Sequence, residues 1–426
     1  MKKEKLKVAW FSDLALGDNP QSLSAYFSHK LLPYLQNKFD ITLYHNSFKR
    51  HPGFKTFHYL KAFEDDLQFP YDIFFYNLED DKRSNFVRSH IGLIPGITYF
   101  HHFNFSNYGP EPLLNSPYQD VVKKFNQELD DWPKREKKYK PSGPAAFREA
   151  ALSPVAIFSS AHLLNQYKQS IRLKLQIDSR EELNAFYLPY PIEFETKKLK
   201  NSSPLFKVAM VGSVRIENRP HKVLAALKDL NFPYKLHWLL RPDELNQAAQ
   251  MLQEFSIENA ELHDTYNPDF WQKIVSDADC ALHTLFSVYS HLEPFLGISL
   301  YAGAPVIATN FAAVEYLPDK LVFKIDPGER ESLQIKEALK FIAANAEKFS
   351  PDLSTEFAAE FYNAEQVALE LAEVFRQRSD YLAAVRAKWK ILEKEAAKSL
   401  LSETLSFLGA DSKFLHPVYE ELGWKR

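Results

Sequence analysis

Arg215 and Arg219 stand in a short polar stretch that runs from the apolar segment Phe206–Val211, through Gly212, to Pro220. An apolar run of that length reads as a buried strand, and proline favours the first turn of a helix. The stretch is therefore a loop entering a helix N-terminus, where two guanidiniums and the helix dipole would together hold a phosphate-like anion. Two ordinary surface arginines would leave the same trace in the sequence. His101 and His102 end another apolar run, Gly96–Phe100, and offer an imidazole for hydrogen bonding or proton transfer near neutral pH. One of two adjacent histidines normally turns into packing. Ser12 and Asp13 follow the apolar run Leu6–Phe11, either bordering the same kind of post-strand loop or acting as turn residues. No Asp-x-Asp pair follows a strand, because Asp277 and Asp279 precede the apolar stretch at Cys280 and read as polar residues of a helix end. Chemistry without a bound metal is the expectation.

The elements that must position these residues alternate regularly. Leu6–Phe11, Asp40–Tyr44, Tyr71–Tyr76, Gly96–Phe100, Val155–Ser159 and Ala185–Leu188 read as strands, with an amphipathic helix at Ser22–Asn37 whose Leu23, Tyr26, Phe27, Leu31 and Leu35 recur at helical spacing. Lys197–Pro204 is polar and aperiodic, a linker, after which the alternation restarts. Strands are expected at Phe206–Val211, Lys235–Leu240, Ala260–His263, Cys280–Thr284, Pro305–Ala308 and Val322–Ile325. Repeated strand–helix–strand units predict an α/β protein with two Rossmann-like domains, 1–196 and 205–352, whose parallel sheets carry ligands at the carboxyl ends of their strands. Residues 353–426 follow a helical pattern, in helices at Phe357–Arg378 and Tyr381–Leu408, and either brace the first domain or contact another copy. Val121–Lys140 mixes many charges with Trp132 and Pro133, as a solvated face or as an insertion at a binding site or a membrane.

The bulk composition excludes several classes. In 426 residues, 52 Lys and Arg face 55 Asp and Glu, so no global positive field would hold nucleic acid. With 25% charged and 45% hydrophobic residues the chain belongs with globular proteins rather than disordered or fibrous ones. The lone cysteine, Cys280, allows no internal disulfide and fits a reducing, cytoplasmic location. After the basic Met1–Lys7 the apolar stretch is only about five residues, too short for a signal-peptide core. No run approaches the roughly 20 apolar residues of a membrane span, so membrane contact would be peripheral, at the inner face.

Set in order, the post-strand stretches resemble the family 4 retaining glycosyltransferases. Val8-Ala9-Trp10-Phe11-Ser12, Ser22 to Tyr26 and Leu31-Leu32-Pro33 look like that family's first strand, loop and helix. Asp72 to Leu78, followed by Ile94 through His102, looks like the stretch in which a histidine faces the donor sugar. Val211-Gly212-Ser213 through Asn218-Arg219 stands at the diphosphate-gripping loop, and Asp277-Ala278-Asp279, Gly303 through Thr309 and Glu315-Tyr316-Leu317-Pro318 complete the order. The resemblance implies a GT-B fold that transfers a sugar from a nucleotide-diphosphate donor to a glycan or glycolipid, with no cofactor beyond the nucleotide sugar itself. It implies an acceptor-side first domain and a donor-binding second domain. His101 or His102 and Glu293 would act at the sugar, with Ser12, Gly212, Arg215, Arg219 and Glu315 around the nucleotide. Glu315 would hold a ribose hydroxyl or, more simply, cap a helix, and Glu293 has the plain alternative of an exposed loop acid beside Pro294.

Departures accompany the matches. Asn19 to Ser24 lacks the family's glycine, and Ser213 stands where an arginine usually follows Gly212. Counting back from Gly303, the two family glutamates fall on Ser290 and Ile298, with Glu293 the nearest acid. These changes leave open a catalytically degenerate member that keeps the fold as a binding or scaffold module. Arg219, placed before Pro220, is expected to contribute donor affinity and almost nothing to fold stability.

Overall fold

Seven strands of one parallel sheet and six of a second form the frame of the chain. The computed structural model describes residues 5–14, 22–47, 49–103, 146–175, 183–194, 204–264, 268–286, 294–345, 349 and 352–407. Val121–Lys140, most of the Lys197–Pro204 linker, Asn19–Gln21 and Glu293 lie outside the described residues.

The first sheet has the order β3-β2-β1-β4-β5-β6-β7. Its strands are β1 (Lys7–Phe11), β2 (Asp40–His45), β3 (Lys55–His58), β4 (Ile73–Leu78), β5 (Ile97–Phe100), β6 (Val155–Phe158) and β7 (Ala185–Tyr187). Helices α1 (Leu23–Leu35), α2 (Ala62–Gln68), α3 (Asn85–Ile91), α4 (Phe147–Ala151) and α5 (Ala161–Leu175) connect them. Strands such as VAWF, IFFYNL and VAIF are apolar at nearly every position because both faces are covered, as parallel sheets require. Val8 and Trp10 enter one core, and Ala9 and Phe11 the other. The edge strand β3, of sequence KTFH and never fully buried, is missing from the sequence reading because a short, half-polar edge carries no hydrophobic run.

The second sheet has the order β10-β9-β8-β11-β12-β13. Its strands are β8 (Phe206–Val211), β9 (Tyr234–Leu239), β10 (Ala260–His263), β11 (Cys280–His283), β12 (Val306–Thr309) and β13 (Phe323–Ile325). Between and after them come α6 (Pro220–Lys228), α7 (Leu245–Glu254), α8 (Pro268–Ser276), α9 (Pro294–Ala302), α10 (Glu331–Ala344), α11 (Asp352–Phe361) and α12 (Ala364–Phe407). The strands expected from sequence at Phe206–Val211 and Ala260–His263 keep those bounds, and the remaining ones shift by a residue or two.

The helical tail differs from the expected pair of helices. Its first expected helix breaks at Tyr362–Asn363, where the Asn363 side chain accepts hydrogen bonds from the Glu365 and Gln366 amides and so starts a new helix. From there α12 runs for 44 residues without the expected interruption near Ser379. Although it follows the second sheet, α12 packs on the first: Val367, Ala368, Leu371, Ala372, Phe375 and Leu382 are buried in the core beneath β1 and β4. Arg386 donates to the Asp72 carbonyl at 2.8 Å and the Trp389 indole N–H to the Leu93 carbonyl at 3.0 Å. Among the described residues no helix is long and apolar enough to cross a membrane.

Phe375 is fully buried, with its ring 5.4 Å from those of Phe39 and Phe75. Phe375→Ala is expected to destabilise the first domain by about 3–5 kcal/mol, read from chemical denaturation. A loss below about 1 kcal/mol would mean that α12 rests on the first domain without bracing it.

Candidate functional site

In both sheets the strand order reverses beside the first strand of the domain, between β1 and β4 and between β8 and β11, so loops at those carboxyl ends diverge and leave a crevice. The sequence-selected residues lie at these ends, at different depths.

On the first domain, Ser12 and His101 are completely buried. The Asn77 amide donates to Ser12 Oγ at 3.0 Å and to the Ser24 carbonyl at 2.8 Å, while Ser28 Oγ donates to Ser12 Oγ at 2.8 Å. Asn77 Oδ1 lies 2.6 Å from His101 Nε2, and the Tyr190 hydroxyl 2.8 Å from His101 Nδ1. An amide oxygen can only accept, so the proton sits on Nε2 and Tyr190 donates to Nδ1. Both residues thus tie β1, α1, β4 and β5 together from below the crevice. The donor-binding place expected for Ser12 and the sugar-facing place expected for His101 are taken up by this network.

His102 is only half-buried. Its Nδ1 accepts a long bond, 3.4 Å, from the Asp80 amide. Burial, then His101, then the positive charges of Arg241 and Arg215 push its pKa down to about 3. A neutral imidazole at physiological pH is a hydrogen-bonding group rather than a proton carrier. The two arginines belong to the second domain, so this electrostatic coupling spans the crevice.

Three carboxylates follow β1 and β4: Asp13, expected from sequence as a loop or turn residue, and Glu79 and Asp81, which the sequence does not single out. Glu79 follows β4, and its Oε2 accepts from the Ser24 amide at 2.9 Å, at the N-terminus of α1. Burial, opposed by that bond and reinforced by Asp81 and Asp13, raises its pKa to about 7. Such a carboxyl exchanges a proton near neutral pH. Asp13 accepts from Ser22 Oγ at 2.6 Å, and burial raises its pKa too. Arg83 grips Asp81 through two bonds of 2.9 Å, and these with Arg241 outweigh burial and lower the Asp81 pKa. The expected strand Tyr71–Tyr76 ends two residues short of the real end at Leu78, so the sequence does not show Glu79 as the residue that follows the strand. An acid directly after an apolar strand was the signal available.

On the second domain, Gly212 has φ 138°, and a Cβ there would lie 2.6 Å from Asn218 Nδ2. The dihedral favours glycine here, and a side chain would also push the Asn218 amide aside. The Trp238 indole donates to its carbonyl at 3.1 Å. Thr284 Oγ1 donates to the Asn218 carbonyl and the Phe286 amide to the Glu217 carbonyl, each at 2.7 Å, pinning the loop against the end of β11. Arg215 is exposed at the loop tip, and Ser213 is bonded to Glu244. Glu315 is exposed in the 3-10 turn after β12, beside Tyr316, whose hydroxyl accepts from Asn165 of the first domain at 3.2 Å.

Arg219 corrects the expectation made for it. Its Nε lies 2.8 and 2.6 Å from the two carboxylate oxygens of Glu331, its Nη2 closes the ion pair, and its guanidinium stacks 5.0 Å from the Phe286 ring centre. Glu331 is fully buried and the Arg219 side chain 14% exposed. The guanidinium therefore locks α6 to α10 instead of projecting freely into the crevice. Arg219 also holds the left-handed conformation, φ 52°, between a 3-10 turn and α6, a strained place for a non-glycine residue.

No protein-family model matches the chain, and no curated protein matches it. Solved structures do match. Sucrose-phosphate synthase from Thermosynechococcus elongatus superposes with a TM-score of 0.60 at 12% identity, over 88% of this chain and 99% of that one. The catalytic domain of starch synthase IV from Arabidopsis thaliana, bound to ADP and acarbose, gives 0.60 at 13% identity over 89% and 100%. HepE from Anabaena, in complex with UDP and glucose, gives 0.58 at 13% identity over 87% and 100%. The fold is GT-B, two Rossmann-like domains with parallel sheets.

Two outcomes follow from the site. Arg219→Ala strands a buried carboxylate and is expected to destabilise the protein by about 3 kcal/mol in chemical denaturation, with partial recovery in Arg219→Ala/Glu331→Gln. An unchanged midpoint would show the pair to be dispensable. Glu79 binds its proton more tightly when folded, about 7 against an ordinary 4.5, so its contribution is fully present below pH 4.5 and lost as pH rises through 7. The stability of the parent relative to Glu79→Gln should accordingly fall between those values, and a difference constant with pH would mean that Glu79 ionises normally.

Proposed function

We propose that the chain transfers a sugar from a nucleotide-diphosphate donor to a glycan or glycolipid acceptor, with retention of configuration and without a metal cofactor. The observation that carries this reading is a GT-B fold in which Arg215 and Arg241 follow β8 and β9 at the carboxyl ends of the second sheet, beside the crevice. Departing phosphates need cationic neutralisation, and arginines supply it without a carboxylate-held ion. In this reading Arg215 and Arg241 meet the diphosphate beside Gly212 and the N-terminus of α6, and Glu315 meets the ribose. His102, neutral with its proton on Nε2, donates to a sugar hydroxyl. Glu79 takes or yields a proton on the first-domain side, where an acceptor hydroxyl would enter. Glu293 retains the sugar-contacting role implied by the family resemblance, which also supplies the retaining stereochemistry. The solved neighbours HepE, in complex with UDP and glucose, and starch synthase IV, bound to ADP and acarbose, support the donor class. A cytoplasmic site of action accords with the single buried Cys280.

The full chain, incubated with a panel of nucleotide sugars in the presence of a chelator, is expected to release nucleoside diphosphate and to be thermally stabilised by UDP, GDP or ADP. Arg215→Ala should weaken nucleotide binding about ten- to a hundredfold while leaving the melting temperature without ligand nearly unchanged. Turnover only with added manganese or magnesium would remove the metal-free mechanism. Absence of both binding and turnover would favour the degenerate scaffold.

A further inference from the structure

The β9–β10 edge of the second sheet carries a cluster that the proposed transfer does not use. His237 and Glu261 are cross-strand partners in register, and His263 lies two residues beyond Glu261 on β10. Side chains two apart on a strand share a face, so all three project from one side of this parallel pair. His237 Nδ1 and His263 Nε2 are 3.1 Å apart. The Glu261 carboxylate reaches 3.8 Å from His237 Nδ1 and 3.9 Å from His263 Nδ1. One donor atom from each residue lies within 4.8 Å of the other two.

We propose that His237, His263 and Glu261 form a binding site for a divalent transition-metal ion of the zinc class. Two imidazole nitrogens at 2.0–2.1 Å from a tetrahedral ion stand about 3.3 Å apart, close to the spacing these rings already have. Two imidazoles and a carboxylate select Zn²⁺, Co²⁺ or Ni²⁺ over Mg²⁺ and Ca²⁺, which prefer oxygen ligands. The histidine side chains are 13% and 10% exposed while Glu261 is 48% exposed, so the imidazoles are fixed and the ion would enter from the carboxylate side. Phe270 of α8 packs against the His263 ring, 5.6 Å between centres, and holds its orientation. The Lys235 ammonium, also on β9, now occupies the Glu261 carboxylate and would be displaced as that carboxylate turns to the ion. The bound ion would clip the edge strand β10 to β9.

The test uses the full chain, treated with chelator and titrated with Zn²⁺ against a chromogenic competitor, then with Co²⁺ followed by visible absorption. One equivalent should bind, and His237→Asn and His263→Asn should each weaken it on the order of a hundredfold. Lys235→Met, which releases Glu261 and removes a competing charge, should tighten binding several-fold. Should the histidine variants fold poorly, X-ray absorption of the zinc-loaded parent decides, with two imidazoles in the first shell expected. Zinc binding unchanged in both histidine variants, a zinc shell with fewer than two imidazoles, or no binding by the parent at micromolar Zn²⁺ would each overturn the site.

Discussion

The geometry of the crevice depends on the place where the chain passes between its two domains. Among the described residues it crosses twice, out at Ile192 and back at Asn363, and the crossings run side by side: the Ile192 amide donates to the Tyr362 carbonyl at 2.7 Å and the Ala364 amide to the Ile192 carbonyl at 3.1 Å. Lys30 of α1 reaches the same region, buried, at 3.0 Å from Glu193 and 3.1 Å from Asp269 of α8. Burial works against its charge, but Asp269 and Glu193 outweigh it and raise its pKa, so the ammonium persists as an ionic pin between domains. Removing either carboxylate would leave a buried cation less compensated, which is the arrangement least tolerant of change. Because α12 begins at this crossing and packs on the first sheet, the second domain is held at both ends of its own sequence.

With the hinge fixed, the crevice acquires an electrostatic polarity. The first domain contributes Asp13, Glu79 and Asp81 around Arg83, and the second contributes Arg215 and Arg241. An anion entering the second domain's side would meet guanidiniums and helix-end amides, whereas the first domain's side would repel it. Burial, then His101, then the arginines keep His102 uncharged, so it adds no cation to the crevice.

The fold was legible because its signals are local. Runs such as Phe206–Val211 announce buried parallel strands by composition alone, and their alternation with helices announces the two domains. The loops that carry the candidate residues were legible too: each candidate within the described chain lies in the segment that follows a strand's carboxyl end. What failed was depth. His101 and His102 are adjacent, and nothing local says that Asn77 and Tyr190 enclose the first. Glu79 was hidden by a strand boundary misplaced by two residues, where the period-2 geometry decides which groups leave the sheet.

Arg219 shows the same limit in its sharpest form. Its partner Glu331 is 112 residues away, and no local pattern joins a loop arginine to the first residue of a distant helix. The pair nevertheless serves the neighbouring chemistry. By locking the end of the Gly212 loop to α10, it fixes the N-terminus of α6, while Thr284 and Phe286 fix the same loop from β11. A loop held from two sides loses little further freedom when an anion binds, so the interaction energy of Arg215 is not consumed in ordering the backbone. The buried cation thus shapes the loop from which the exposed Arg215 projects. The left-handed φ of 52° at Arg219 fits this account, since strain of on the order of 1 kcal/mol or more persists only where surrounding contacts over-determine the backbone.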